Sequence, residues 1–180
     1  FIPLFVIKAT TMHIPVIIGA ILLGPGAGAT LGSVFGFCSI WANTTTPGLL
    51  SFAFSPFMTT EGLPGVAKSL WIALGCRILF GFTTGLLWKG VKKVTKKDYL
   101  ALPVTAAVST MCHTIFVMGS IYFLLAQQYA AAKNVAITAV FGLIMGTVTA
   151  SGIPEAIAAA ILVTVIGKSL LHMQSRMKKR

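Results

Sequence analysis

Apolar residues gather along this chain in blocks instead of alternating with polar ones, and glycines and prolines punctuate the blocks. The first block, 13–23, would reach only about 16 Å as a helix, roughly half of a bilayer's hydrocarbon core. Gly24 and Pro25 stop it. Pro25 suits the first turn of a second helix over 25–43, because its missing N–H would be unpaired there in any case. Gly28, Gly32 and Gly36 then recur every four residues, which places them near one helix face and lets another backbone approach closely. Glycine is also common in membrane helices generally. The rest of the chain is expected to be organised around this helix, turn and helix.

Residues 1–11, with Pro3, Lys8, Thr10 and Thr11, are predicted to form a non-cytoplasmic loop leading into a first helix capped by one of the threonines. Residues 43–64 are predicted to be a long ordered loop, since Phe52, Phe54 and Phe57 are too apolar to float in water and should fold over the bundle. Residues 69–88 suffice for a span, with Trp71 and Trp88 near its ends as interfacial aromatics. The basic stretch 89–98 is a cytoplasmic loop, 99–127 a second long apolar run, and 127–133 a short polar loop.

The remainder, 134–172, is about twice what one span needs. Ser151, Gly152 and Pro154 are expected to break it. If both halves crossed, the tail 176–180 would lie opposite the basic loop 89–97, against the positive-inside rule. Residues 135–150 are therefore predicted not to cross independently but to form a helical or re-entrant element on the non-cytoplasmic side, shielded by protein. Residues 153–172 are the final span. No internal repeat or β-hairpin alternation is evident, so the expected fold is all-α: a polytopic membrane helical bundle forming a single domain.

Composition strengthens that picture. Of 180 residues, 56% are hydrophobic and only 9% charged, which marks an integral membrane protein. The formal charge of +11 would suit a nucleic-acid partner, but ten of the fourteen basic residues lie in 89–97 and 168–180, flanking apolar runs. That is positive-inside patterning, and it argues against nucleic acid while allowing contact with anionic lipid headgroups. Cys38, Cys76 and Cys112 are odd in number and sit inside apolar runs, as packing residues do.

Arg77 is the strongest chemical signal, because a guanidinium about eight residues inside a span must face the bundle interior, a watery cavity or a partner. It shares a helix face with Ala73, Gly81 and Thr84, which leave room beside it. One reading is a fork for the carboxylate of an anionic substrate; the other is an internal ion pair with Glu155 or Glu61. Glu155 follows Pro154 in a first helical turn, where the helix dipole favours an acid with or without a ligand, and it is a candidate to line the site. His113 lies on one stripe with Thr105, Ser109 and Ser120, facing inward either to bind substrate or to bond neighbouring helices. His13 and Asn43, at the outer ends of the first two helices, are candidate ligands or caps. Trp71, Trp41, Phe54 and Phe57 are candidate walls for the aliphatic part of a small substrate, or belt and core residues.

Catalysis has few parts here: three acidic residues, no paired carboxylates within a helical turn, no Gly-x-Ser-x-Gly and no His/Cys ligand set. An intramembrane enzyme would need a reactive pair among His13, His113, Glu61 and Glu155. There is no Walker motif, and no cofactor or metal is expected. The residues thus point to capture of a small organic acid near the outer face. A stand-alone secondary transporter or channel and a non-catalytic scaffold subunit remain the alternatives.

The stretches TMHIPVIIGAILLGP, SFAFSPF, CRILFGF and GIPEAIAAAI resemble the substrate-binding S components of energy-coupling factor (ECF) vitamin transporters, most of all the pantothenate branch. The resemblance covers nearly the whole chain. It implies a six-helix membrane protein whose first helix, with the small-residue docking motif, would precede Phe1. It also implies a transmembrane coupling subunit and two cytoplasmic ATPases as partners, and a substrate-binding subunit that tips within a bacterial plasma membrane to deliver its vitamin without covalent chemistry. The family pattern often carries asparagine where this chain has His113.

Overall fold

A computed structural model describes residues 12–177 apart from 96. The loop expected over 1–11, with its threonine cap, and the end of the basic tail lie outside the described residues. Helix α1 (Ile14–Leu23) meets α2 (Pro25–Thr45) at Gly24, whose φ of 94° is a left-handed conformation that favours glycine. A single turn of α3 (Ser51–Phe54) follows. Then α4 (Gly62–Leu70), a π-helical turn (Trp71–Gly75) and α5 (Cys76–Val94) run as one helix. Helix α6 spans Asp98–Lys133, and a 3₁₀ turn (Ile137–Ala139), α7 (Val140–Thr147), a second π turn (Val148–Gly152) and α8 (Ile153–Met177) form the last helix. The described residues contain no strand.

Three continuous helices are long and apolar enough to cross a membrane: Gly62–Val94, Asp98–Lys133 and Ile137–Gln174. They correct three expectations. The basic stretch 89–98 is mostly helix, since α5 runs on to Val94 and α6 begins at Asp98. The polar stretch 127–133 is not a loop: α6 runs through it, because Gln, Ala and Lys are good helix formers whatever their polarity. It stops only at Asn134, where a left-handed residue (φ 52°) lets the Val135 N–H return to the Ala130 carbonyl. Nor is 151–154 a break, and 135–150 is not a separate element. The π turn absorbs Pro154, which lacks the N–H that an α-helical continuation would use, and α7 passes directly into α8.

The ends of the bundle sort by charge. Gln174 Nε2 donates to the Leu22 carbonyl across 3.3 Å, and Gly85 lies against Gly24 and Pro25. The α1–α2 turn, the end of α5 and the end of α8 therefore share the end that carries residues 89–97, the cytoplasmic side by the positive-inside rule. The opposite end holds α3 and the 134–139 turn. Two buried clusters fill the interior, one around Ile17, Phe80, Leu102 and Val163, the other around Ile72, Ile121, Tyr129 and Val140. Large apolar side chains such as Phe37, Phe123 and Val165 are exposed on the flanks, the arrangement expected when lipid is the solvent.

The α2 glycines do what their spacing predicts. A Cβ on Gly28 or Gly32 would collide with the carbonyl oxygen of Gly81 or Arg77, and one on Gly36 would lie 2.7 Å from the Ala73 oxygen. Helix α2 thus lies directly on the backbone of α5, at the level of Arg77.

Candidate functional site

Arg77 is 7% exposed, and its side chain folds back along its own helix. The π turn just before it loosens the regular bonding of that stretch. Arg77 uses the result: Nη1 donates to the Ile72 and Ala73 carbonyls, each at 3.0 Å. Nη2 donates to Ser39 Oγ at 3.0 Å, while Nε lies buried without a partner among the described residues. The guanidinium carbon stands 4.8 Å from the centre of the Phe35 ring and 5.3 Å from that of Phe54, both within cation–π range.

The two alternatives for Arg77 now separate. All three acidic side chains, Glu61, Asp98 and Glu155, lie among the described residues. Glu61 pairs with Lys68 at 2.7 Å and Asp98 with Lys92. Glu155, part-buried in the first turn of α8, makes no ion pair with Arg77. The buried charge is balanced by carbonyl dipoles, a hydroxyl and two ring faces, none of which neutralises it.

From Arg77 a polar chain leads outward. Ser39 sits one turn before Asn43, whose Nδ2 donates to the Ser39 carbonyl at 2.9 Å. Ser51 Oγ donates to Asn43 Oδ1 at 3.1 Å and itself accepts from the Gly48 N–H at 2.8 Å. Asn43 therefore ties the outer loop to Arg77 through Ser39. Phe52 and Phe54 pack against the core beneath this loop, as expected, but Phe57 is 76% exposed.

An aromatic group closes the other side. His113 stacks on Phe80 with centroids 4.6 Å apart and meets Phe35 edge-on at 6.0 Å; His13 meets Phe80 at 6.3 Å. His113 Nδ1 is buried without a hydrogen-bond partner among the described residues. So are the hydroxyls of Thr105, Ser109 and Thr110 in the preceding turns of α6. Thr84 and Thr114, by contrast, bond back to carbonyls of their own helices. Of the predicted α6 stripe, Thr105 and Ser109 are buried and His113 and Ser120 half-buried, and part of its hydrogen-bonding capacity is unused.

The structure brings together Arg77, Asn43, His113 and His13. Glu155 stays apart, and Trp71, 49% exposed, lies against Gly75 of its own helix; Trp41 is 73% exposed and walls nothing. Sequence reasoning missed Phe35, Ser39 and Ser51. Phe35 and Ser39 were legible in principle, since they precede Asn43 at intervals of four on one helical stripe.

The described residues thus form a polytopic helical bundle of membrane type in which a buried guanidinium, Arg77, has no carboxylate partner. The family model of the ECF transporter, substrate-specific component, matches residues 1–167, and the chain belongs to that family. It is a multi-pass membrane protein with a transport role, whose class takes a vitamin as substrate and works with an ECF module. The chain is also 32% identical over 167 residues to the pantothenic acid transporter PanT of Lactococcus lactis subsp. cremoris (strain MG1363), an alignment covering 92% of this chain and 79% of that protein. No solved structure gives a significant match.

Proposed function

We propose that this chain captures pantothenate from the outside and delivers it inward in complex with a transmembrane coupling subunit and two cytoplasmic ATPases, performing no covalent chemistry itself. The observation that carries the reading is Arg77, buried and unneutralised. Its free Nε–H and the remaining Nη2–H form a two-pronged edge suited to one carboxylate. Pantothenate offers that carboxylate together with an amide and two hydroxyls, for which His113 Nδ1 and the Asn43 chain supply partners. Phe35, Phe54 and Phe80 would cover its aliphatic part. His13 supports the Phe80 ring, and Glu155 and Trp71 have no direct place in the site. The likeness to PanT supports the choice among small acids.

Calorimetry on the purified protein tests the proposal. Titration with pantothenate should give saturable heat, and other water-soluble vitamins should not; heat from a different vitamin, or from none in a folded sample, would refute it. Ser39→Ala should weaken binding about tenfold, the effect of losing one hydrogen bond to a charged group. Its thermal unfolding midpoint should fall by only a few degrees, and unchanged affinity would show that Ser39 does not orient Arg77.

A further inference from the structure

A second polar site lies at the outer end of the molecule. A cavity of about 300 Å³ opens between α4 and the last turns of α6, lined by Glu61, Lys68, Gln127 and Gln128 beside Phe123 and Ile137. That volume is at the lower end of those that hold small organic ligands. Gln128 keeps both its amide oxygen and its amide nitrogen buried without a hydrogen-bond partner among the described residues, an arrangement that costs free energy unless something else supplies the bonds. Lys68 and Glu61 pair at 2.7 Å with side chains 32% and 35% exposed. A pair so exposed contributes about 0–1 kcal/mol, so a competing anion can exchange into it. At Leu125, which also lines the cavity, α6 departs from helical geometry (φ −135°, ψ 23°), and the helix kinks there.

One ammonium, one carboxylate and one unpaired amide in a small cavity recognise a solute that carries an anion, a hydrogen-bond donor and an amide. We infer that this cavity is an outer encounter site for the same solute that Arg77 holds, an inference that rests on the proposed function above. The solute carboxylate exchanges with Glu61 for Lys68, its hydroxyls turn to the released Glu61, and its amide meets Gln128. Lys68 stands on the same continuous helix as Arg77, about 14 Å away at 1.5 Å per residue. The solute's anion therefore passes from an exchangeable cation at the surface to a fixed one inside.

The test is stopped-flow tryptophan fluorescence on the full-length protein in lipid nanodiscs, with pantothenate as the probe and calorimetry for the end point. A site on the entry route alters the barrier and not the final complex. Lys68→Met should slow association and dissociation together by about three- to tenfold, in line with the lower range of electrostatic steering; Gln128→Leu, which removes only the amide's hydrogen bonds, should slow both in the same sense, and each should leave affinity unchanged. Lys68→Arg should restore the rates. Normal rates in both variants would overturn the inference, and so would a loss of affinity through faster dissociation alone, which would make the cavity part of the final site. A rate loss confined to discs containing anionic lipid would assign the cavity to a headgroup and overturn it as well. If the unaltered protein binds no pantothenate, the functional reading falls and the inference with it; normal binding with unaffected rates removes the inference alone.

Discussion

Arg77→Ala should abolish the saturable pantothenate binding proposed above, with a loss of at least a hundredfold, while the protein remains folded. The size follows from the geometry. A side-on guanidinium gives a carboxylate two charge-assisted hydrogen bonds in a low-dielectric interior, and together these are worth about 3 kcal/mol or more, or a factor above 100 in affinity. Folding survives because the substitution removes a buried cation that no carboxylate neutralises, and the carbonyls of Ile72 and Ala73 that accept from it remain inside a helix. The thermal midpoint should stay within a few degrees of the unaltered protein. Arg77→Lys should bind more weakly than the parent and more tightly than the alanine variant, since the charge is retained and the fork is lost. Calorimetry and thermal melts together decide the matter. Full affinity in Arg77→Ala refutes the carboxylate role, and a collapsed melting transition would make Arg77 a structural residue.

The second large effect concerns a residue that need not touch the solute. Gly32→Ala should lower the thermal midpoint by several degrees and weaken binding at least tenfold. The added Cβ would collide with the Arg77 carbonyl oxygen, and the obstacle is backbone, so no side chain can swing aside. Relief requires α2 to move off α5. Overpacking of this kind costs about 1–3 kcal/mol, and the displacement carries Phe35 and Ser39 away from the guanidinium they contact. Gly26→Ala is the control, because nothing lies within 4 Å of a Cβ there. Equal melting and binding in the two variants would show that the close approach of α2 to α5 does not set the geometry of the site.

The residues that could be found from sequence were those whose chemistry conflicts with a membrane interior. Arg77 stood out because charge is costly there, and the glycines of α2 because their spacing coincides with a helix face. The bundle followed from the lengths of the apolar blocks and from where the lysines and arginines fall. The errors have one origin, the use of polarity and helix breakers as markers of helix ends. Gln127, Gln128 and Lys133 continue α6, since backbone bonding is indifferent to whether a side chain prefers water. Pro154 sits inside a continuous helix because a π turn accommodates it. Ser39 and Phe35 escaped notice because a serine and a phenylalanine are unremarkable in any membrane helix; only their distance to Arg77 gives them meaning. Trp71 attracted attention for its size and stands outside the site, since an aromatic near a span's end suits the interface equally well.

The two π turns bear on how this chain should be aligned with its relatives. Each accommodates one residue more than an α-helix of the same height, and so rotates everything beyond it by about 100°. Residues 62–70 therefore present a face that the periodicity of 76–94 would not assign to them, and 140–147 stand in the same relation to 153–177. A relative that closed either turn into plain α-helix would differ from this chain by a one-residue gap inside an uninterrupted apolar run, the place where alignments most readily slide. Misplacing the gap by one turn would exchange a residue that faces the bundle interior for one that faces lipid.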